Sequence, residues 1–228
     1  VGVMLRLARF LLSLLLGFIL LSLAVVIVYR FVPVPVTATM LMDENGWTRD
    51  WTALSDIDRD LVRAVIAAED GKFCQHNGFD AEAIEQAFRE NMQGGRVIRG
   101  GSTISQQTAK NVFLWQGGGY LRKGLEAWLT FLIENLWGKR RIMEVYLNVA
   151  ETGIGTYGVE AGARRYFDKS AASLSPAEAA RMAAALPQPK ARAVNAPRGW
   201  TRRYGNLIQQ RMTIVRRDGL DACVYNPG

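Results

Sequence analysis

An apolar run over residues 10–28, nineteen positions without a charge, constrains this chain more than any other feature. Only Ser13, Gly17 and Ser22 interrupt it. A helix needs about 20 such residues to cross the hydrocarbon core of a bilayer. The run has no polar face, which argues against a helix half-sunk in a globular core. Arg6 and Arg9 precede it, Arg30 follows it, and no acidic residue occurs before Asp43. Positive flanks stay in the cytoplasm, so residues 1–9 are expected inside, 10–29 as a single-pass anchor, 30–46 as a linker and 47–228 as an outer domain. The rival reading is a cleaved signal peptide, with Val36-Thr37-Ala38 as the small-residue site. The run is longer than the usual ~7–15-residue signal core, which favours the retained anchor.

From residue 30 onward the chain carries 26 basic and 21 acidic residues. The excess is concentrated in residues 96–141, which hold eight Lys or Arg against only Glu126 and Glu134. A positive region beside an anionic membrane points to a phosphate-bearing lipid or to the headgroups themselves, and makes nucleic acid a poor partner on that side. A solvated charged face is the plainer account, and it suits Arg202-Arg203 and Arg216-Arg217. A single histidine, His76, rules out a multi-histidine metal site and reads as a loop or core hydrogen-bonding residue. Cys74 and Cys223 could pair in an oxidising compartment, but spacing alone does not show that they meet.

The outer domain reads as mainly α with a small β element. Residues 36–54 are β-branched and aromatic in places and suggest a short hairpin turning at Asn45-Gly46. Ser55 and Asp58 open a helix with Ile57, Leu61, Val65 and Ala68 on one face, ending near Asp70-Gly71. Asp80 caps a second helix, with Ile84, Phe88 and Met92 in line, ending at Gly94-Gly95. Gly100-Gly101-Ser102 opens a third; residues 121–137 and 139–150 follow as the fourth and fifth. Ser175-Pro176-Ala177-Glu178 joins a Ser cap, Pro at the first position and Glu at the third. Pro187 ends that helix, and a last one covers residues 202–217.

Three segments carry candidate chemistry. Glu69-Asp70 puts two carboxylates at the end of an apolar helix. The negative end of the helix dipole and desolvation both disfavour their ionised form there, which makes a better proton acceptor near neutral pH. A solvated helix end is the ordinary alternative. Gly101-Ser102-Thr103 precedes a helix start, where free N–H groups attract anions. Thr103, Gln106 or Gln107, and Lys110 recur at intervals of three or four and share a face. Ordinary capping by Ser102 or Thr103 is compatible with that. Arg122 and Lys123 precede Glu126 by four and three residues, a salt-bridge spacing that could equally hold an anion. Glu144 and Asn148 repeat the i, i+4 spacing, where a structural carboxylate is as good a reading as a catalytic one. No Ser is followed three positions later by Lys, so the Ser-x-x-Lys penicillin-binding signature is missing.

Four blocks, in this order, resemble the bacterial peptidoglycan glycosyltransferase family, whose module also fronts bifunctional penicillin-binding proteins. They are Glu69-Asp70…Phe73…His76…Gly78; Gly100-Gly101-Ser102-Thr103-Ile104-Ser105-Gln106-Gln107…Lys110-Asn111; Arg122-Lys123…Glu126; and Lys139…Ile142-Met143-Glu144…Tyr146-Leu147-Asn148. The short length and missing transpeptidase motif resemble the monofunctional form. The resemblance implies a lysozyme-like, mainly α fold and an enzyme that polymerises glycan from lipid II, releasing undecaprenyl pyrophosphate with inversion. It implies Glu69 as general base supported by Asp70, and Glu126 positioning or balancing the diphosphate. Lys110, Arg122 and Lys123 would carry the diphosphate charge, and Ser102, Thr103, Gln106, Gln107 and Asn111 would line the donor site. No cofactor is required; a divalent metal, Mg2+ or Mn2+, at Glu126 is left open. The implied partners are lipid II, the nascent glycan strand, the bacterial membrane, and cell-wall synthesis or division proteins. The implied place is the inner (cytoplasmic) membrane with the catalytic domain periplasmic. The apolar stripe Phe79, Ile84, Phe88, Met92 would rest on the bilayer or, equally, form helix core. The nearest rival enzyme is a glycan-cleaving one using Glu69 as general acid, which has no need of a diphosphate cradle. A non-catalytic membrane scaffold is the other class.

Overall fold

A computed structural model describes residues 2–92 and 101–226, without the side chains of 87, 88, 90 and 91. The expected helix end at Gly94-Gly95, the Gly100 of the second block, and Arg96 and Arg99 of the basic segment lie outside the described residues. The mainly α reading holds. Eleven helices are described: α1 Gly2–Phe31, α2 Ala38–Leu41, α3 Arg59–Glu69, α4 Ala81–Met92, α5 Ile104–Phe113, α6 Gly119–Leu136, α7 Gly138–Val149, α8 Val159–Phe167, α9 Pro176–Ala185, α10 Gly199–Arg217 and α11 Ala222–Tyr225. Three very short strands, β1 Thr48–Arg49, β2 Glu151–Gly153 and β3 Thr156–Tyr157, make one sheet in the order β1-β3-β2.

α1 extends beyond the uncharged run at both ends, and most of its side chains are exposed. One helix is therefore long and apolar enough to cross a membrane. Its last third is docked on the rest of the molecule. The Trp128 indole N–H donates to Ser22 Oγ at 3.1 Å, and that of Trp137 donates to the Val26 carbonyl at 2.7 Å. Arg141 donates to the carbonyls of Tyr29 and Val32 at 2.8 and 2.6 Å. Arg141 thereby satisfies carbonyl groups that the end of the helix leaves unpaired.

Two helix groups make the body. α3, α9 and α10 pack together on one side, and α5, α6 and α7 on the other. The shared core includes Leu61, Ile66, Phe73, Ile104, Ile133, Ile142 and Leu147, all fully buried. Local signals explain most boundaries. Asp58 caps α3 by accepting from the Asp60 N–H, and Asp80 accepts from the Ala83 N–H at the head of α4. Ser175 and Glu178 form the expected reciprocal capping box on α9, with Pro176 in its first turn.

Two expectations are corrected. No hairpin forms at Asn45-Gly46. The chain does turn there, with Gly46 at φ 69° and its N–H on the Asp43 carbonyl, but β1 runs parallel to β3, more than a hundred residues away. Strands of two residues hold no period that a sequence could display. The stripe on α4 does not form core, since Ile84 and Met92 are exposed, as is Phe79 just before the helix; the Phe88 side chain lies outside the described set. The sequence reading also omitted α8, which has no side-chain cap and starts from Gly158 at φ 80°.

Cys74 and Cys223 are joined by a disulfide, their Cα atoms 5.5 Å apart, tying the loop after α3 to α11 across 149 positions. Beside it Asp221, buried, accepts from Arg59 and Arg63 of α3 at 2.8 and 3.0 Å.

Candidate active site

The site lies where the C-terminus of α3 meets the N-terminus of α5. Asp70 ends α3 and is buried. It accepts from the Ile104 N–H of α5 at 2.9 Å and from His76 Nε2 at 2.9 Å. His76 Nδ1 in turn accepts from the Gly78 N–H at 3.1 Å, so Nε2 carries the ring hydrogen. The carboxylate thus sits on the positive end of α5 and joins the two helix groups. Gly78 closes the loop at φ 90°, where a Cβ would stand 2.8 Å from Thr130 Cγ2. Its carbonyl accepts from Thr103 Oγ1 at 2.7 Å. A side chain at 78 is excluded by both torsion and space.

Glu69, one position earlier, points elsewhere. Its Oε2 accepts from Gln107 Nε2 at 2.8 Å, while Oε1 is buried with no hydrogen-bond partner. Burial pushes the Glu69 carboxyl above its ordinary range, against the opposing effects of the Gln107 hydrogen bond and the Arg192 charge. Tyr146 of α7 donates weakly to Gln107 Oε1 at 3.4 Å, which turns the amide N–H2 toward Glu69. Tyr204 of α10 donates to the Ala68 carbonyl at 2.8 Å, beside the same helix end.

The second carboxylate, Glu126 on α6, is buried but fully engaged. Arg122 Nη1 donates to Oε2 at 2.6 Å, and Lys123 Nζ donates to Oε1. Lys123 also reaches Ser102 Oγ at 3.4 Å, which brings the cluster to the edge of the Glu69 cleft. Lys110 makes no hydrogen bond or ion pair among the described residues. Burial lowers the pKa of its ammonium, while Glu126 works the other way. Three cations therefore stand around one carboxylate, leaving two positive charges uncompensated. The other described cations of the basic segment are occupied elsewhere: Lys139 pairs with Glu134 at 2.7 Å, Arg141 pairs with Glu144, and Arg140 donates to the Val224 carbonyl.

Two cavities meet at Gln107 and Pro187. One, about 580 Å3, is lined by Glu69, Ser102, Arg192, Trp200, Tyr204 and Arg211. The other, about 420 Å3, holds Lys110, Asn111, Tyr146, Glu151 and Lys190. Ser102, Gln107, Lys110, Asn111 and Glu69 thus share one continuous groove. Of the two residues offered for the ligand-facing position on α5, Gln107 takes it. Gln106 and Thr103 are buried and bond each other, Thr103 Oγ1 accepting from the Gln106 N–H and Gln106 Oε1 from the Thr103 N–H at 3.0 Å. Their pattern is a capping box, and a cap removes side chains from ligand contact. Asn148 is likewise structural, exchanging two hydrogen bonds with the Thr52 backbone at 2.8 and 2.9 Å.

Sequence reasoning missed Arg192, Trp200, Tyr204 and Arg211. Arg192 sits in a Pro-flanked loop without periodicity, stacks on Trp200 at 4.3 Å and donates to the Ala184 carbonyl at 3.0 Å. The spacing 200, 204, 207, 211 on α10 was a usable signal, one helix face of mixed character.

Comparison with known proteins identifies the family. A family profile described as Transglycosylase matches residues 37–213. A protein of Caulobacter vibrioides named "Biosynthetic peptidoglycan transglycosylase" is 54% identical over 202 residues, covering 87% of this chain and 88% of that protein. Proteins of the same name from Rhodospirillum centenum and Pasteurella multocida are 48% and 45% identical, covering 97% and 89% of this chain and 97% and 86% of their own length. The chain therefore belongs to the transglycosylase family, the glycosyltransferases that its four sequence blocks resemble.

Proposed function

We propose that this enzyme polymerises peptidoglycan glycan strands from lipid II by inverting glycosyl transfer, with Glu69 as general base and without transpeptidase activity. The observation that carries the reading is the pairing of one bare, buried Glu69 oxygen with a groove that leads to surplus positive charge. The 4-hydroxyl of an N-acetylglucosamine gives its proton to Glu69 as its oxygen bonds C1 of the muramyl unit on the growing strand. The C1–O bond to the diphosphate breaks from the opposite face, and α becomes β. The departing lipid diphosphate takes the electron pair, and Lys110, Arg122 and Lys123 meet its charge. Such fixed charges act where negative charge develops and need no reorganisation. Desolvation makes Glu69 a stronger base than a solvated carboxylate, and Gln107 holds it in place. Asp70 acts through the fold, holding the α5 terminus against α3.

Glu126 keeps Arg122 and Lys123 in register. Both its oxygens accept from those cations, and among the described residues no cluster of three metal-binding side chains occurs, so the arrangement does not fit a divalent metal. No step is routed through one. The docked α1 supports a retained single-pass anchor with the catalytic domain on the periplasmic side, where a lipid-linked substrate is at hand.

Incubating the full chain with purified lipid II tests the reading. Polymer and released undecaprenyl pyrophosphate are expected, and Glu69→Gln should remove both while leaving the fold intact. If isolated sacculi are shortened and lipid II is untouched, the chain cleaves glycan instead.

A further inference from the structure

Within the reading of Glu69 as general base, we propose that Tyr204, braced by Trp200 and Arg192, is a positioning residue for that carboxylate, its hydroxyl holding the last turn of α3. α3 ends at Glu69, so the carbonyls of its final turn lack the usual N–H partners further along the helix. The Ile66 carbonyl is taken by the Asp70 N–H at 3.1 Å. The Ala68 carbonyl is taken from across the cleft, by the Tyr204 hydroxyl of α10 at 2.8 Å. That carbonyl belongs to the peptide unit that joins Ala68 to Glu69. It also carries part of the negative charge of the helix end, right beside the Glu69 carboxyl. A hydroxyl hydrogen placed on it counters that charge and fixes the peptide from which the Glu69 side chain springs.

Tyr204 is itself held in place. Its ring lines the Glu69 cleft and stacks on Trp200, one turn earlier on α10, with the centroids 4.6 Å apart. The Arg192 guanidinium lies over the same Trp200 ring at 4.3 Å and donates to the Ala184 carbonyl of α9 at 3.0 Å. The stack thus runs from the end of α9 to the end of α3, and it takes up the faces of these rings. Burial and the Glu69 charge push the Tyr204 phenol upward, so the proton stays on the oxygen that donates. Glu69 is then held twice, by Gln107 on its side chain and by Tyr204 through its backbone. The titratable and charged groups facing Glu69 are Asp70 beside it, Lys110 of α5, Tyr146 of α7, Arg192 before α10, and Tyr204 and Arg211 on α10. Among the described residues, Tyr204 is the one side chain bonded to the Ala68 carbonyl.

The test is Tyr204→Phe in the full chain, which keeps the ring and its stack and removes only the hydroxyl. With lipid II as substrate, kcat should fall about fivefold, the worth of one neutral hydrogen bond, while half-saturation stays within about twofold. The acidic limb of the pH–rate profile should move to higher pH, because the uncovered carbonyl disfavours the ionised form of Glu69. Trp200→Ala, which frees both Tyr204 and Arg192, should move the limb the same way. A limb that stays put in Tyr204→Phe, whatever happens to kcat or to the melting temperature, would reduce Tyr204 to a structural contact and overturn the proposal, as would a limb moved to lower pH. An unmoved limb in Trp200→Ala would overturn the role of the stack. Gln107→Leu serves as the reference. If it moves the limb and Tyr204→Phe does not, the failure belongs to Tyr204. If polymerisation survives in Glu69→Gln, the reading of Glu69 as base is what fails.

Discussion

Glu69 and Glu126 are the same side chain in opposite surroundings. Glu69 lines the groove, and Glu126 is tied to its edge through Lys123 and Ser102. Glu69 has a single amide donor on one oxygen and nothing on the other, whereas Glu126 accepts from a guanidinium and an ammonium. A carboxylate with an idle buried oxygen is poised to take a proton. One with both oxygens engaged by cations is poised to hold those cations. On the mechanism proposed above, the difference separates base chemistry from leaving-group chemistry by local solvation and pairing.

The sharpest way to break the comparison is Glu69→Gln. General acid–base contributions run to about 10²–10⁴-fold, so polymerisation should fall by roughly a thousandfold. Stability should move the other way. Because the folded pKa of Glu69 is raised, the unfolded chain ionises first as pH climbs past its ordinary value near 4.5. The folded state therefore loses stability as pH rises through the folded pKa, and stays at a disadvantage above it. Glu69→Gln should melt a few degrees higher than the wild type at neutral pH, with the gap closing below pH 4. A variant that melts lower at pH 7 would show that the carboxylate is not held against its preference.

Glu126→Gln comes next. It leaves Arg122 and Lys123 without their shared acceptor, so stability should drop by about 1–3 kcal/mol in chemical denaturation and turnover by roughly a hundredfold. Equal activity loss in Glu126→Gln and Glu69→Gln, with the same pH profile, would erase the distinction between them. A milder probe is Lys123→Ala. Half-exposed, Lys123 should contribute under about 1 kcal/mol to stability, while donor half-saturation rises about tenfold. The smallest expected effect is Gln107→Leu. Its hydrogen bond favours the ionised form of Glu69, so its loss raises that pKa and moves the acidic limb of the pH–rate profile to higher pH. An unmoved limb would mean that Glu69 does not set it.

Much of this was legible beforehand where local chemistry decides the outcome. Ser175-Pro176-Ala177-Glu178 announces α9 by its own hydrogen bonds, and Asp80 announces α4. Glu69-Asp70 drew notice as adjacent carboxylates at a helix end, and Lys110 with Gln107 or Gln106, and Arg122-Lys123-Glu126, by helical spacing; their roles came from the family resemblance of the four blocks. What could not be read depends on contacts across the chain. β1 is two residues long and pairs with β3, α8 lacks a side-chain cap, and the cysteines meet only once the fold is complete. The roles of Thr103 and Gln106 were masked because a capping residue and a ligand-binding one look alike until burial is known. Arg192 and Arg211 escaped because neither has an acidic neighbour at helical spacing to mark it.

The covalent link between Cys74 and Cys223 has a consequence for biogenesis. Cys74 lies four residues from Asp70, in the loop that anchors the catalytic helix end, yet its partner is synthesised 149 positions later. If the chain is exported as proposed, the loop waits as a free thiol until that long segment has crossed and folded back. In the anchored topology proposed above, sealing takes place only in the oxidising space beyond the membrane. On that topology maturation is coupled to arrival, and a copy stranded in the cytosol would keep its loop unsealed.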